Sequence, residues 1–216
     1  MKKIGVLFLT IAFIISMIAG CGKGDTGPKK ISIATASPGG GFYMGGSALA
    51  SVINNKLKGF EATVESTGAS KNNVDLLEAG EVKIGLSATE IAWESYNGKF
   101  DFQGKAHKKL RTIIAGWPSV YAFITLENKG INSLKDFEGK IFSAGPKGSS
   151  SEIFTRRTFD ALGIKPKLVN LPTSDAATAL GDGTIDGFLI SLPSSSVTEL
   201  ETTHKAKIIT LNQEER

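Results

Sequence analysis

Small polar residues and glycines are concentrated in this chain where a short apolar run gives way to a helical pattern. The stretches read SPGGGFY (37–43), STGASKNN (66–73), SATE (87–90), PKGSSSE (146–152) and PSSS (193–196). Glycine lets a backbone approach a ligand, helix N-termini present unpaired N–H groups with partial positive charge, and small hydroxyls add donors. Together they favour a site for an anionic or zwitterionic small molecule, with about 1.5–3 kcal/mol from each charge-assisted hydrogen bond. For any one loop taken alone, ordinary helix capping is the alternative interpretation.

These loops must be positioned by alternating strands and helices. The predicted strands of a first series are KISIATA (30–36), FEATVEST (60–67), VKIGLSA (82–88) and LRTIIAGW (110–117), and a second series runs on to AKIITL (206–211). Helical patterns between them end at glycines, as at Gly80, Gly98 and Gly163. A β-α alternation of this kind predicts an α/β fold with a parallel sheet and right-handed crossovers. In such sheets ligands bind outside the carboxyl ends of the strands, where these loops would lie.

The two series predict two α/β lobes, residues 31–117 and 118–216, joined near Gly116–Tyr121. About 195 residues remain if an N-terminal signal is removed, which is enough for two small cores. Because the chain has a single Cys, no intramolecular disulfide can form, and the fold must be stabilised by its apolar cores.

The N-terminus is typical of a secretion signal. Lys2 and Lys3 precede an apolar run, Ile4 to Ile18, that is short for a membrane span. The run ends in Ile-Ala-Gly-Cys, which resembles the lipobox of bacterial lipoproteins. That resemblance implies a signal peptide at residues 1–20, a lipidated Cys21 carrying acyl chains such as palmitate, and a flexible tether at residues 21–30. An ordinary signal peptide with a chance Cys, or an uncleaved anchor, is the alternative.

Composition and charge exclude some functions. Hydrophobic residues make up 41% of the chain and charged residues 21%, as in ordinary globular proteins, and the net charge is +4. The densest basic spots, Lys108-Lys109 and Arg156-Arg157, stand outside any nucleic-acid motif and predict a solvated surface. We therefore expect no nucleic-acid partner.

Residues for catalysis are sparse, and we predict that the protein is not an enzyme. His107 and His204 are interpreted as surface residues without an accompanying Cys, Asp and Ser arrangement. The GPKGSSS stretch lacks Walker spacing, and GDGTIDG lacks the terminal Glu of a calcium loop. We expect no cofactor and no metal site. Glu90 and Glu152 are the only carboxylates close enough to the loops to be nominated for an enzyme.

Several stretches in combination resemble the TAXI family of solute receptors, which serve tripartite ATP-independent periplasmic (TRAP) transporters. They are ISIATASPGGGFYMGGSALASVIN, ATVESTGASKNNVDLLEAGEVKIGL, IAWESYNG and SAGPKGSSSEIFTRRTFDALG. The resemblance implies a two-lobed type II periplasmic-binding-protein fold that closes on a small carboxylate or amino acid, glutamate or glutamine among them. Carried over by motif, the implied ligand contacts are Gly41, Tyr43, Thr67, Ser70, Asn73, Gly148, Ser149 and Ser150.

The resemblance also implies partners and a location. The protein would be a monomer held by its lipid to the cell membrane, in the periplasm or on the outer face, handing its solute to TRAP membrane subunits. Two alternatives remain at this stage. One is a ligand-sensing lipoprotein that partners a receptor, and the other is an enzyme on the same fold acting on a small anionic substrate.

The length differs from the family pattern. Type II binding proteins complete the first lobe with chain that returns after the second, whereas this sequence stops five residues after the last predicted strand, at Arg216. We expect a C-terminally truncated chain whose first lobe lacks the return segment, exposes apolar surface and is marginally stable.

Overall fold

The computed structural model describes residues 27–211, and the predicted signal peptide and Cys21 lie outside them. Lobe 1 contains β1 (Lys29–Ala34), α1 (Gly41–Lys56), β2 (Phe60–Glu65), α2 (Ser70–Ala79), β3 (Ile84–Gly85), α3 (Thr89–Asn97) and a 3-10 turn (Phe100–Phe102). Lobe 2 contains β4 (Val120–Leu126), β5 (Ile141–Ser143), α4 (Ser150–Leu162), β6 (Lys167–Val169), α5 (Thr173–Gly181), β7 (Gly187–Leu192), α6 (Ser195–Leu200) and β8 (Ala206–Ile209), with 3-10 turns at Glu127–Lys129 and Leu134–Phe137. Strand β1 begins two residues before the predicted start of the folded portion.

The sheet of lobe 1 is parallel, as predicted, with the order β2-β1-β3. Strand β1 is central because Ile33 and Ala34 are fully buried, and it pairs with β2 along its whole length. Strand β3 is much shorter than predicted and pairs only two residues with β1, Ile33 with Ile84 and Ala34 with Gly85.

The prediction of a fourth strand at residues 110–117 is wrong. Residues 110–119 form neither helix nor strand, and Ile113 and Ile114 are each 77% exposed. The apolar alternation of this stretch suits a strand, but a strand also needs a neighbour that pairs its backbone N–H and C=O groups. Within residues 27–211 no strand pairs with this stretch, which forms an irregular connector between the lobes.

The sheet of lobe 2 is mixed, with the order β6-β5-β7-β4-β8. Strand β5 runs parallel to β6 and β7, whereas β4 runs antiparallel to both β7 and β8. The centre of the sheet is β7, whose residues Gly187, Phe188, Leu189 and Ile190 are all buried. A strand buried on both faces reads as a continuous apolar run.

Two apolar clusters fill lobe 2, one on each side of its sheet. One contains Phe137, Phe142 and Phe159, and the other is built around Ile124, Leu180 and Phe188. Lobe 1 has a smaller cluster of Ile33, Ala50, Ile53 and Ala62.

A further cluster joins the lobes. Val74, Ala88, Ile91 and Phe102 of lobe 1 pack against Ile153, which lies on α4 of lobe 2 and is 2% exposed. The two lobes therefore share part of their apolar core, and they are in contact in this structure.

Glycines end helices as the sequence predicts. Gly80, Gly98 and Gly163 follow α2, α3 and α4 with φ of 82°, 62° and 68°, in the left-handed region that glycine adopts without steric cost. Among the described residues, no helix is long and apolar enough to cross a membrane.

Candidate functional site

The loops predicted to bind a ligand meet at one contact between the lobes. After β1, Ser37 Oγ accepts a hydrogen bond from the backbone N–H of Thr173 at 3.2 Å. Nearby, Ser194 Oγ donates to the carbonyl of Gly39 at 2.9 Å. Loops that follow parallel strands in each lobe therefore contact one another directly, at Ser37 and Gly39 of lobe 1 and at Thr173 and Ser194 of lobe 2, and we call this contact region the cleft.

Glycine permits the close approach of the two lobes after β1. Gly39 has φ of +83°, and a Cβ atom there would lie 2.1 Å from Ser196 Oγ of the opposite lobe. Gly41, a predicted contact, is the first residue of α1, and its Cβ would lie 3.0 Å from the carbonyl oxygen of Pro193. These glycines let residues of lobe 2 lie close to the loop backbone.

Trp117 of the connector covers the first turns of α1. A Cβ atom on Gly45 would lie 2.1 Å from the indole ring, which also packs edge-on against Phe42 with ring centroids 6.4 Å apart. The predicted contact Tyr43 lies on the same turn, is half-buried, and accepts a hydrogen bond at its carbonyl from Ser47 Oγ. The ring of Phe42 therefore serves packing, as its apolar character suggested.

The predicted contacts after β2 are used within lobe 1. The buried Asn73 side chain donates to the carbonyls of Thr35 and Leu86, each at 2.6 Å, and accepts from Thr67 Oγ1 at 2.6 Å. Ser70 Oγ accepts from the N–H of Ala88 at 3.1 Å. These bonds connect the residues that follow β1, β2 and β3. The side chains therefore hold the conformation of the loop after β2.

The predicted contacts before α4 form a helix cap. Ser149 Oγ accepts a hydrogen bond from the N–H of Glu152 at 3.1 Å, and the Glu152 carboxylate accepts from the N–H of Gly148 at 2.6 Å. The carbonyl of Gly148 accepts from the N–H of Lys71 across the lobes at 3.1 Å. The Ser149 hydroxyl therefore caps α4, as the alternative interpretation of these loops expects. Ser150 is buried at the start of the helix.

Tyr121 is a residue of the cleft that sequence reasoning missed. Its hydroxyl is buried without a hydrogen-bond partner among the described residues, and its ring packs against Phe154 at 4.6 Å. Burial, together with the Glu90 carboxylate, raises the pKa of Tyr121 to about 12, against a lowering influence of the Ser150 hydroxyl. The Ser150 hydroxyl and the Glu90 carboxylate both act on this hydroxyl, so Tyr121 faces polar side chains from both lobes. Tyr121 lies in an apolar strand pattern, so only its hydroxyl distinguished it from a core residue.

The prediction that His107 is a surface residue is wrong. His107 is 8% exposed, its Nδ1 lies 2.8 Å from Ser95 Oγ, and its Nε2 lies 3.5 Å from Asp75 Oδ1. This resembles a Ser-His-Asp arrangement, but Ser95 is fully buried and no substrate can reach its hydroxyl. The group instead fastens the segment after α3 to α2 and α3.

A polar groove lies between α2 of lobe 1 and the first turns of α4 in lobe 2. It has a volume of about 480 Å³ and is lined by Lys71, Asn72, Asp75, Asp101, Lys147, Gly148, Glu152, Ile153 and Arg156. Its charges pair locally, with Lys71 3.0 Å from Asp75 and Arg156 3.9 Å from Glu152. Within residues 27–211 no group of three or more His, Cys, Asp and Glu side chains could hold a metal ion.

Solved structures of solute-binding proteins have the same fold. An ancestral arginine-binding protein bound to arginine aligns with a TM-score of 0.59 at 18% identity, over 85% of this chain and 78% of its own. A putative L-cystine ABC transporter protein from Listeria monocytogenes aligns with a TM-score of 0.61 at 17% identity, over 84% and 77%. The alkanesulfonate-binding protein SsuA from Xanthomonas axonopodis pv. citri, bound to MOPS, aligns with a TM-score of 0.56 at 14% identity, over 87% and 62%.

At these identities the similarity shows the fold, which is the type II periplasmic-binding-protein fold that the sequence predicts. Some of these neighbours are described as proteins of ABC transporters, and they do not show the TAXI family specifically. Residues 33–216 match the model of the NMT1-like family. The chain therefore belongs to the NMT1-like family.

Proposed function

We propose that this protein is an extracytoplasmic solute-binding protein that holds a small carboxylate or amino acid between its lobes. The observation that carries the proposal is the meeting of strand-to-helix loops from both lobes in one cleft. Ligands of open α/β folds bind at this place. The structural neighbours include proteins with arginine and an alkanesulfonate analogue bound, which supports a small charged solute.

Capture would proceed by hinged closure about the connector. A ligand stabilises the closed form only through contacts made in that form and lost in the open one. We propose that Gly41, Tyr43 and Ser150 contact the ligand, since Gly41 lies against Pro193 of lobe 2, and that the hydroxyl of Tyr121, which Ser150 and Glu90 influence, joins them. We propose that Thr67, Ser70, Asn73, Gly148 and Ser149 contribute through the backbone of loops that their side chains and capping bonds hold in shape.

A substitution that adds a methyl group at the contact between the lobes tests the proposal. A Cβ atom on Gly68 would lie 2.8 Å from the backbone carbonyl of Lys147 in lobe 2, so Gly68→Ala obstructs closure. Ser51→Ala is the control, because Ser51 is exposed on α1 and its hydroxyl is bonded within that helix, by the Asn55 side-chain amide at 3.2 Å.

Titration calorimetry with glutamate, glutamine, arginine, cystine, a dicarboxylate and an alkanesulfonate would identify the solute class. We expect binding of at least one candidate, weakened about tenfold or more by Gly68→Ala and unchanged by Ser51→Ala. Equal affinity in both variants, or the absence of binding in a folded protein for every candidate, would contradict the proposal.

The membrane partner and the anchor are proposed separately. The motif resemblance favours TRAP membrane subunits, whereas the structural neighbours belong to ABC transporters. Uptake driven by an ion gradient in reconstituted vesicles supports a TRAP partner, and uptake that requires ATP supports an ABC partner. We also propose that Cys21 is lipidated, which predicts that a palmitate analogue labels the protein in cells and fails to label the Cys21→Ser variant.

A further inference from the structure

A bidentate ion pair joins the two lobes outside the cleft loops. Glu94 lies on α3 of lobe 1 and is 4% exposed, and Arg157 lies on α4 of lobe 2. The guanidinium donates to Glu94 Oε1 at 2.8 Å and to Oε2 at 3.0 Å. It also stacks over the ring of Phe100 at 4.8 Å. Geometry of this kind, two parallel hydrogen bonds with one carboxylate desolvated, is the strong form of an Arg–carboxylate interaction.

The spacing of residues on α4 explains why the pair forms here. Residues four apart lie on one face of a helix, so Ile153 and Arg157 point the same way. Ile153 is buried in the apolar cluster of lobe 1, and one turn further along Arg157 reaches Glu94. One turn before Ile153, the carbonyl of Gly148 accepts from the N–H of Lys71. Three successive contacts therefore fasten α4 to lobe 1 along one line.

Because Glu94 is charged and buried, its pairing with Arg157 favours the arrangement in which the two lobes are in contact. Removing one partner of a buried ion pair leaves an uncompensated charge, which is strongly unfavourable until water reaches it. The hydrogen bonds with Glu94 raise the pKa of Arg157 above its ordinary value, against the effect of burial, so the guanidinium stays charged. Opening the lobes would separate the two groups and hydrate both.

We propose that Glu94 and Arg157 form a latch that holds the lobes together in the absence of ligand and so sets the closed fraction of the free protein. Both residues act on the arrangement of the lobes and not on the ligand, since neither belongs to the loops of the proposed binding cleft. The latch determines how much of the closing free energy a ligand must supply, and weakening it lowers apparent affinity without changing any ligand contact.

Amide hydrogen exchange of the ligand-free full chain tests the latch directly. The N–H of Lys71 donates across the lobes, so its exchange rate reports opening. Arg157→Met should accelerate that exchange about tenfold or more, because an unpaired Glu94 favours the open form. Arg156→Met is the matched control, since Arg156 is the adjacent residue on the same helix and pairs within α4 with Glu152.

Exchange within each lobe separates a latch from a folding role. The amides that pair β1 with β2 in lobe 1, and those of β7 in lobe 2, should keep their wild-type protection in Arg157→Met. Unchanged exchange at Lys71, or a uniform increase in both lobes, would overturn the proposal. If Arg157→Met does not fold, Arg157→Lys keeps the charge with a single ammonium and should show a smaller increase at Lys71 alone. Because no ligand is present, failure here is distinct from failure to bind a solute.

Discussion

The two lobes differ in how far each is stabilised by its own residues. Lobe 2 has a five-stranded sheet with an apolar cluster on each side, and five phenylalanines belong to one of those clusters or pack against it. Lobe 1 has a three-stranded sheet, and its own cluster contains two alanines. Large aromatic side chains bury far more surface than alanine, so the core of lobe 2 contributes much more stability.

The cluster around Ile153 shows the consequence of this difference. Lobe 1 completes its second apolar cluster with a side chain from lobe 2. Lobe 1 therefore depends on the contact between the lobes, whereas both clusters of lobe 2 consist of its own residues. We expect changes at the contact to affect lobe 1 more than lobe 2.

The largest effect is expected inside lobe 2. Phe142 is fully buried and meets Phe137 at 4.8 Å and Phe159 at 5.1 Å between ring centroids. Phe142→Ala should lower the free energy of unfolding by about 3–5 kcal/mol, through lost burial and the cavity left behind. Denaturant unfolding followed by circular dichroism measures it. Phe60→Ala, at a position 38% exposed in lobe 1, is the control, and an equal loss there would break the comparison.

A somewhat smaller effect tests the dependence of lobe 1 on its neighbour. Ile153→Ala should cost about 2–4 kcal/mol and reduce the hydrogen-exchange protection of α2 and α3 more than that of β7. Ile164→Ala removes a buried isoleucine that packs only within the lobe 2 cluster, so its cost should fall on lobe 2. The same pattern of protection loss from both variants would contradict the assignment of Ile153 to lobe 1.

Ser149 distinguishes capping from ligand contact. Its hydroxyl caps α4, so Ser149→Ala should lower stability by about 1 kcal/mol. Solute affinity in calorimetry should change little, since the hydroxyl is already used by Glu152. Ser151→Ala is the control. Ser151 lies two residues further along the chain and is half-buried, and its substitution should lower stability by less than about 0.5 kcal/mol. A large loss of affinity with unchanged stability would instead assign Ser149 to the ligand.

The smallest effect concerns acid stability at the surface of lobe 2. Backbone N–H groups of Asn132 and Ser133 donate to Asp136 and lower its pKa below 3.8. A depressed pKa contributes stability above the unfolded-state value, and that contribution is lost as pH falls through the folded-state value. Asp136→Asn should flatten the stability–pH curve slightly below pH 3.8, measured by urea unfolding. The change should be small because the group is exposed, and an unaltered stability–pH curve for Asp136→Asn would contradict the prediction.

Local sequence patterns were sufficient for most elements of the fold. The glycine stops after α2, α3 and α4 and the apolar runs of β1 and β2 appear where the sequence predicts them. Strand direction and pairing were less accessible, because they depend on partners far along the chain. Antiparallel β4 and the unpaired stretch at residues 110–119 are the two examples.

The cleft was predictable as a set of loops, but not as a set of side-chain roles. A serine before a helix looks the same whether it caps the helix or contacts a ligand, as Ser149 shows. Contacts between distant residues left no local signal either. Glu94 and Arg157 are 63 positions apart, and His107 reaches both Asp75 and Ser95 only after α2 and α3 have packed together.

Trp117 of the connector packs against the glycines in the first turns of α1, so the order of this helix start depends on the position of the connector. Gly41 and Gly45 lack the side chains that normally favour a helix, and each costs about 0.5–1 kcal/mol relative to alanine. The indole ring occupies the space left open and shields the backbone beneath it. If the connector carries Trp117 away during opening, the first turns of α1 lose that cover and tend to fray. Rotation about the connector and unwinding of the helix start would then be a single coupled event.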